Sequence, residues 1–223
     1  MISAVVFDVG ETLVDETREY GTWADWLGVP RHTFTAVFGA MIATGGSYLD
    51  TFQVFRPGFD LGKERQARAD AGQPESYSED DLYPDVRPAL SDLQRQGIWV
   101  GIVGNQTVRS GRILRSLNLP TDFIATSDDW GVEKPSAEFF AKVVEAAPVP
   151  AGEIVYVGDR IDNDVAPAKK AGMRTAYLQR GPWGWILRGK EEVLDLSDWK
   201  ISDLGELPGI VAAENSWANG PAN

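Results

Sequence analysis

Four short stretches of this 223-residue chain combine acids, an amine and side-chain amides in ways that could support chemistry. They are Ala4 to Asp15 (AVVFDVGETLVD), Ile98 to Gln106 (IWVGIVGNQ), Val132 to Pro135 (VEKP) and Ile154 to Asp164 (IVYVGDRIDND). In the first, Ile2, Val5, Val6 and Phe7 form a nearly unbroken apolar run that ends at Asp8 and Gly10. A short run rich in β-branched residues reads as a strand buried on both faces of a parallel sheet. Such sheets bind ligands beyond the carboxyl ends of their strands, so Asp8 stands where chemistry is normally done. A lone Asp in that place is also a common turn former. A carboxylate there can attack a phosphoryl group and divide its hydrolysis into two easier steps.

Composition narrows the chemistry further. No cysteine is present, which excludes disulfides, thiolate metal sites and cysteine nucleophiles. The single histidine, His32, lies far in sequence from all four stretches, which removes a Ser-His pair and a multi-histidine metal site. Carboxylates, lysine, hydroxyls and backbone remain, an inventory suited to a hard, oxygen-liganded cation such as magnesium. The 33 acids against 21 bases give a net charge of −12, which argues against nucleic acid as a partner and favours solubility. No apolar run approaches the length of a membrane span and no signal-peptide pattern is present, so the expected location is cytoplasmic, with no membrane partner.

These residues need elements to position them. Apolar runs at Ile98 to Val103, Phe123 to Thr126, Ile154 to Val157 and Arg174 to Leu178 predict further strands. Helical patterns fall between them: Asp85 to Gln96, Val108 to Leu117 with Val108 on the buried side, a helix capped by Ser136, and Val165 to Ala171. Strands alternating with helices imply an α/β fold with a doubly wound parallel sheet. Gly10 is expected to supply the tight backbone after the first strand. From Glu16 to Tyr83 no strand is evident. Thr17 to Gly28, Pro30 to Thr44 and Leu61 to Ala71 read as helices, with Trp23, Trp26, Phe34 and Phe38 as core. Asp203 to Ala213 is expected to form a last helix, and 214–223 a loose tail. Trp183 and Trp185 are read as packing a loop.

In order and spacing the four stretches resemble the haloacid dehalogenase superfamily of hydrolases, over roughly residues 1 to 15 and 84 to 185. The resemblance implies a Rossmann-like core at 1–15 and 84–213 and an inserted α-helical cap at 16–83. It makes Asp8 the nucleophile and Lys134 the cation that lets two anions approach. Asp8, Asp159 and the main-chain carbonyl of Gly10 become ligands of Mg2+, with Asp164 and Asn163 orienting that shell and Asp162 a solvated turn residue. Backbone amides around Gly10, Glu11, Asn105 and Gln106 are expected to bind phosphate, with the Glu11 side chain exposed in the turn. Within the cap, Arg18, His32 and Arg56 are candidate substrate contacts.

Two positions depart from the family pattern. Phosphatases of the superfamily carry a second Asp, the general acid and base, two residues after the nucleophile, where this chain has Gly10. The second motif normally ends in Ser or Thr, where this chain has Gly104. No tyrosine stands at Gly10 to match the dehalogenase branch. The expected function is therefore a magnesium-dependent hydrolase acting through an aspartyl intermediate on a small phosphorylated metabolite. The alternatives are a weak or inactive relative that binds a phosphorylated ligand or a protein partner, and hydrolysis at phosphonate or carbon centres that needs no second Asp.

Overall fold

The computed structural model describes residues 1–190 and 196–218. Six parallel strands form one sheet: β1 (Ala4–Phe7), β2 (Trp99–Gly104), β3 (Phe123–Thr126), β4 (Ile154–Gly158), β5 (Arg174–Leu178) and β6 (Trp199–Ile201). Their spatial order is β3-β2-β1-β4-β5-β6. Helices cover both faces, and for that reason β1 and β4 are apolar throughout and wholly buried. The strand order reverses between β1 and β4, which is where open α/β sheets place ligands. In register, Phe7 lies opposite Ile102 on one side and Val157 on the other. Asp8 and Asp159, which immediately follow β1 and β4, and Gly104, the last residue of β2, therefore lie along one edge of the sheet.

One layer of the core is aromatic. Helix Ala137–Ala146 is capped by the Ser136 hydroxyl and buries Phe139, Phe140 and Val143. Trp130, Phe139, Phe140 and Tyr156 form a chain of rings with centroids 5.3, 5.4 and 5.3 Å apart. Full burial of each Phe contributes roughly 1.5–3 kcal/mol, so this stack anchors the helix that follows Lys134.

The chain divides into two compact units, Met1–Asp15 with Leu82–Asn223, and Glu16–Asp81. The second is helical: Thr17–Leu27, Arg31–Ala43, Asp50–Phe55 and Leu61–Asp70. Trp23, Phe34, Phe52 and Phe59 form its interior, and Trp26 is half-buried with its indole N–H on Glu64. Buried Arg68 pairs with Glu19 at 2.9 Å and stacks 4.0 Å over Trp23. Arg18 is engaged by Asp81 and Arg56 by Glu64, while His32 is exposed.

Several elements differ from the sequence expectations. Helix Asp50–Phe55 and strand β6 were not foreseen, because six and three residues are too few to display a period. Val108 is exposed, since it opens its helix, Val108–Ser116, before the first full turn reaches the sheet. The last helix runs Leu207–Ala218, beyond the expected end at Ala213. Asn215 explains part of that extension: its side-chain amide exchanges hydrogen bonds of 2.6 and 2.8 Å with the main chain of Ile2. The remainder of the expected tail, 219–223, lies outside the described residues. Trp185 is 67% exposed in an unforeseen short helix, Gly181–Ile186, where Arg188 stacks on it, so it does not pack a loop. Among the described residues no helix is long and apolar enough to cross a membrane.

Candidate active site

Asp8 extends the ladder of β1 by one residue, its amide donating to Val157 O at 2.9 Å. This fixes its side chain at the carboxyl edge beside Asp159, which immediately follows β4. Asp164 comes from the turn Ile161–Val165 and folds back under Gly158, where a Cβ would collide with its carboxyl group. The glycine before Asp159 thus makes room for Asp164. The carboxyl groups of Asp8, Asp159 and Asp164 each offer an oxygen within 4.8 Å of the others, and all three residues are buried.

Lys134 reaches into this cluster. Its Nζ lies 2.6 Å from Asp8 Oδ1 and 2.6 Å from Asp164 Oδ1. Asn105 positions the backbone of Lys134: Nδ2 donates to Lys134 O at 3.0 Å, and Oδ1 accepts from Lys134 N at 2.7 Å. The Asn105 side chain is therefore spent on holding the lysine loop against the end of β2. Gln106, half-buried, accepts from the Ser127 hydroxyl and the Asp128 amide through its carbonyl.

The turn after Asp8 differs from expectation. The left-handed position is Glu11, with φ 52°, and not Gly10. The Glu11 amide donates to Val14 O at 2.8 Å, so it is removed from the set of amides expected to face a phosphate. Its side chain is buried, not exposed, with Oε2 accepting from the Tyr83 hydroxyl at 2.6 Å. Gly181 allows this burial, because a Cβ there would lie 2.7 Å from Glu11 Cβ. Asn163 is half-buried in the Ile161–Val165 turn, and exposed Asp162 pairs with Arg160 at 2.7 Å.

Charge in the cluster is unbalanced. Burial, and then the charges of Asp164, Asp8 and Glu11, hold the Asp159 carboxyl well above the usual carboxylate range. Burial also raises Asp164, against the pull of Lys134, to about 6. For Lys134, burial works against the ammonium, but Asp164 and Asp8 outweigh it and hold its pKa well above that of a free lysine. Lys134 serves Asp8 and Asp164 and leaves Asp159, whose buried Oδ2 has no hydrogen-bond partner among the described residues. An unpaired buried carboxylate oxygen beside two more carboxylates fits a hard divalent cation.

Two tyrosines escaped the sequence reading. Tyr156 lies under the site, its hydroxyl donating to Val103 O at 3.0 Å and its ring 5.9 Å from Lys134 Nζ. Tyr83 reaches Glu11 across 72 positions of sequence. Neither sits in a recognisable pattern, and only the strand alternation that turns Tyr156 toward Val6 and Val103 offers a signal.

A family model described as haloacid dehalogenase-like hydrolase matches residues 2–172. Glyceraldehyde 3-phosphate phosphatase of Methanocaldococcus jannaschii is 34% identical over 132 residues, covering 58% of this chain and 56% of that one. The chain thus spans little more than half the length of these curated relatives. Among solved structures, the putative HAD-hydrolase YfnB from Bacillus subtilis, bound to magnesium, superposes with a TM-score of 0.70 at 21% identity, covering 94% of this chain and 98% of that one. L-2-haloacid dehalogenase from Xanthobacter autotrophicus superposes with a TM-score of 0.62 at 19% identity, covering 95% and 99%. At those identities the structural likeness speaks for the fold, while the family match reaches past the last of the four motifs. The chain belongs to the haloacid dehalogenase-like hydrolases.

Proposed function

We propose that this protein is a magnesium-dependent phosphatase that hydrolyses small phosphorylated metabolites through an aspartyl-phosphate on Asp8. The observation that carries this reading is the buried Lys134 ammonium held at 2.6 Å from both Asp8 and Asp164, beside an unpaired Asp159 oxygen. Asp8, Asp159 and the Gly10 carbonyl would hold the metal, and Asp164 and Asn163 would orient its surroundings. Bound magnesium supplies positive charge that neutralises the phosphoryl oxygens as they meet the carboxylate.

Asp8 attacks phosphorus with one carboxylate oxygen. The phosphorus–oxygen bond to the leaving alkoxide breaks, the alkoxide takes its proton from solvent water, and the phosphoryl group is carried on Asp8. Water then attacks the aspartyl-phosphate, releasing phosphate and restoring the carboxylate. Lys134, 2.6 Å from Asp8 Oδ1, keeps the carboxylate aimed before the first step and offsets charge on the phosphoryl group during it. The Gly10, Asn105 and Gln106 amides, after β1 and β2, are the backbone donors proposed for the phosphate. The helical unit Glu16–Asp81, inserted directly after the Asp8 turn, acts as the cap that selects the substrate. Support for a phosphorylated metabolite comes from the phosphatase relatives; support for magnesium comes from the acidic cluster.

Gly10 favours a second reading, because no carboxyl group stands two residues after Asp8 to protonate a leaving alkoxide. A site without it suits ligand binding, or phosphonatase- or dehalogenase-like hydrolysis that does not use that second Asp. A screen of phosphate monoesters with magnesium and with a chelator separates these readings. Chelator-sensitive release of phosphate is expected. Tight binding of phosphorylated compounds with no turnover of any ester or phosphonate supports the binding reading instead.

A further inference from the structure

We infer that Tyr83 is a positioning residue for the Gly10 carbonyl: by holding the Glu11 carboxylate, it keeps the Gly10–Glu11 peptide in the one orientation that turns that carbonyl out of the loop. The inference rests on the magnesium reading above for its functional meaning, but its geometric content is independent of it.

Left-handed backbone is disfavoured for a residue with a Cβ, and Glu lacks the short polar side chain that lets Asn and Asp bond locally there. Glu11 nevertheless holds φ 52° in a buried turn. Rotation about φ of Glu11 is rotation of the Gly10–Glu11 peptide plane relative to the chain that follows. The two ends of that plane point oppositely in a trans peptide. With the Glu11 N–H directed at Val14 O, 2.8 Å away, the Gly10 carbonyl is directed away from Val14. The left-handed φ and the carbonyl direction are one degree of freedom, and whatever holds Glu11 aims Gly10.

Tyr83 is built to hold it. Its hydroxyl donates to Glu11 Oε2 at 2.6 Å, and its own amide donates to Leu13 O at 3.0 Å, within the same turn. Burial and the Glu11 charge keep the phenol protonated, as a donor must be. The Arg180 guanidinium lies 4.1 Å over the Tyr83 ring and donates to Thr12 O at 3.0 Å, while its other end pairs with Asp85. Next to Arg180, Gly181 leaves the space that the Glu11 side chain fills. The turn from Gly10 to Thr12 is thus gripped from the strand-5 side and from the segment that re-enters the core at Tyr83.

Tyr83→Phe removes the hydrogen bond and leaves the ring under Arg180. Magnesium chloride is titrated into the full-length protein, without substrate, by calorimetry, and exchange of the position-11 amide is followed in the metal-free protein. Tyr83→Phe is expected to weaken magnesium binding by about tenfold, at the lower end of what loss of a group supporting a metal ligand produces, and to speed that amide's exchange by a similar factor. Glycine adopts positive φ without penalty, so in a Glu11→Gly background the same Tyr83→Phe change should alter either quantity less than about twofold. Glu11→Gln, whose side-chain carbonyl still accepts from Tyr83, should stay within about threefold of wild type. An equal loss from Tyr83→Phe in both backgrounds, or no loss in either, overturns the inference. A tenfold loss in Glu11→Gln shows that Glu11 acts through its charge, which also overturns it. If wild type binds no magnesium, the magnesium reading fails, and the exchange comparison alone decides on Tyr83.

Discussion

The Asp8 carboxylate occupies the space in which a side chain at Gly104 would begin: a Cβ there would lie 2.5 Å from Asp8 Oδ1 and 3.2 Å from Val9 Cγ2. Asp8 cannot yield freely, because the same oxygen is 2.6 Å from Lys134 Nζ. The glycine at the end of β2 is therefore a condition for the Asp8–Lys134 pair, and not merely the absence of a hydroxyl. Gly104→Ala should push Asp8 off Lys134 and lower kcat by about 10²-fold, the scale expected of a misplacement near 1 Å. Steady-state kinetics check this; an unchanged kcat would show that Asp8 does not react from the observed position.

Gly10→Asp tests the departure in the first motif. The positive φ falls on Glu11 and not on Gly10, so an L side chain at position 10 meets no left-handed penalty. A carboxyl group there can protonate a leaving alkoxide, and turnover of an alkyl phosphate should rise by roughly 10- to 10³-fold, below or within the range for a positioned acid or base. An aryl phosphate should gain less. Comparing the two ester series in both proteins measures the difference.

The legibility of this site divides along physical lines. Asp8 and Asp159 could be read because each ends a β-branched apolar run, and the sheet that results is buried on both faces as such runs require. Lys134 could be singled out only by its order among the other motifs. Glu11 was read as exposed, and is buried because Tyr83 and Gly181, distant in sequence, close over it. The role of Asn105 in holding the lysine loop is likewise a pairing across 29 positions that no local pattern encodes. Short elements such as β6 and Asp50–Phe55 owe their form to neighbours and show no period of their own.

Removing Lys134 leaves two carboxylates buried without their cation. Breaking one partner out of a buried ion pair costs about 3–5 kcal/mol, so Lys134→Ala should lower the metal-free unfolding free energy by about that amount. Urea denaturation followed by fluorescence of the tryptophans reads it. A loss within experimental error of zero would mean that the Asp8 and Asp164 charges are relieved some other way.

Protons and a divalent cation compete for the same carboxylates. Asp159 and Asp164 are raised in the folded, metal-free protein, Asp164 to about 6, above the ordinary carboxylate range. A raised folded pKa contributes stability that is present below the unfolded value and lost as pH rises through the folded one. The contribution of Asp164 to metal-free stability should therefore fall as pH rises from about 4 through about 6, and that of Asp159 should change in the same direction. Magnesium requires the ionised forms, so the increase in Tm that it produces should be small near pH 4 and grow across the same interval. Thermal melts with and without magnesium at several pH values check the sign; an increment that shrinks with rising pH would place the metal elsewhere.

The central claim is that Asp8 is the nucleophile of a magnesium-dependent phosphatase, and Asp8→Asn tests it most directly. The substitution keeps shape and removes the attacking carboxylate. Turnover of the best phosphate ester, measured with saturating magnesium in a protein whose melt shows it folded, should fall by on the order of 10³-fold or more, as losing a nucleophile does. Turnover equal to wild type in folded Asp8→Asn would contradict the account.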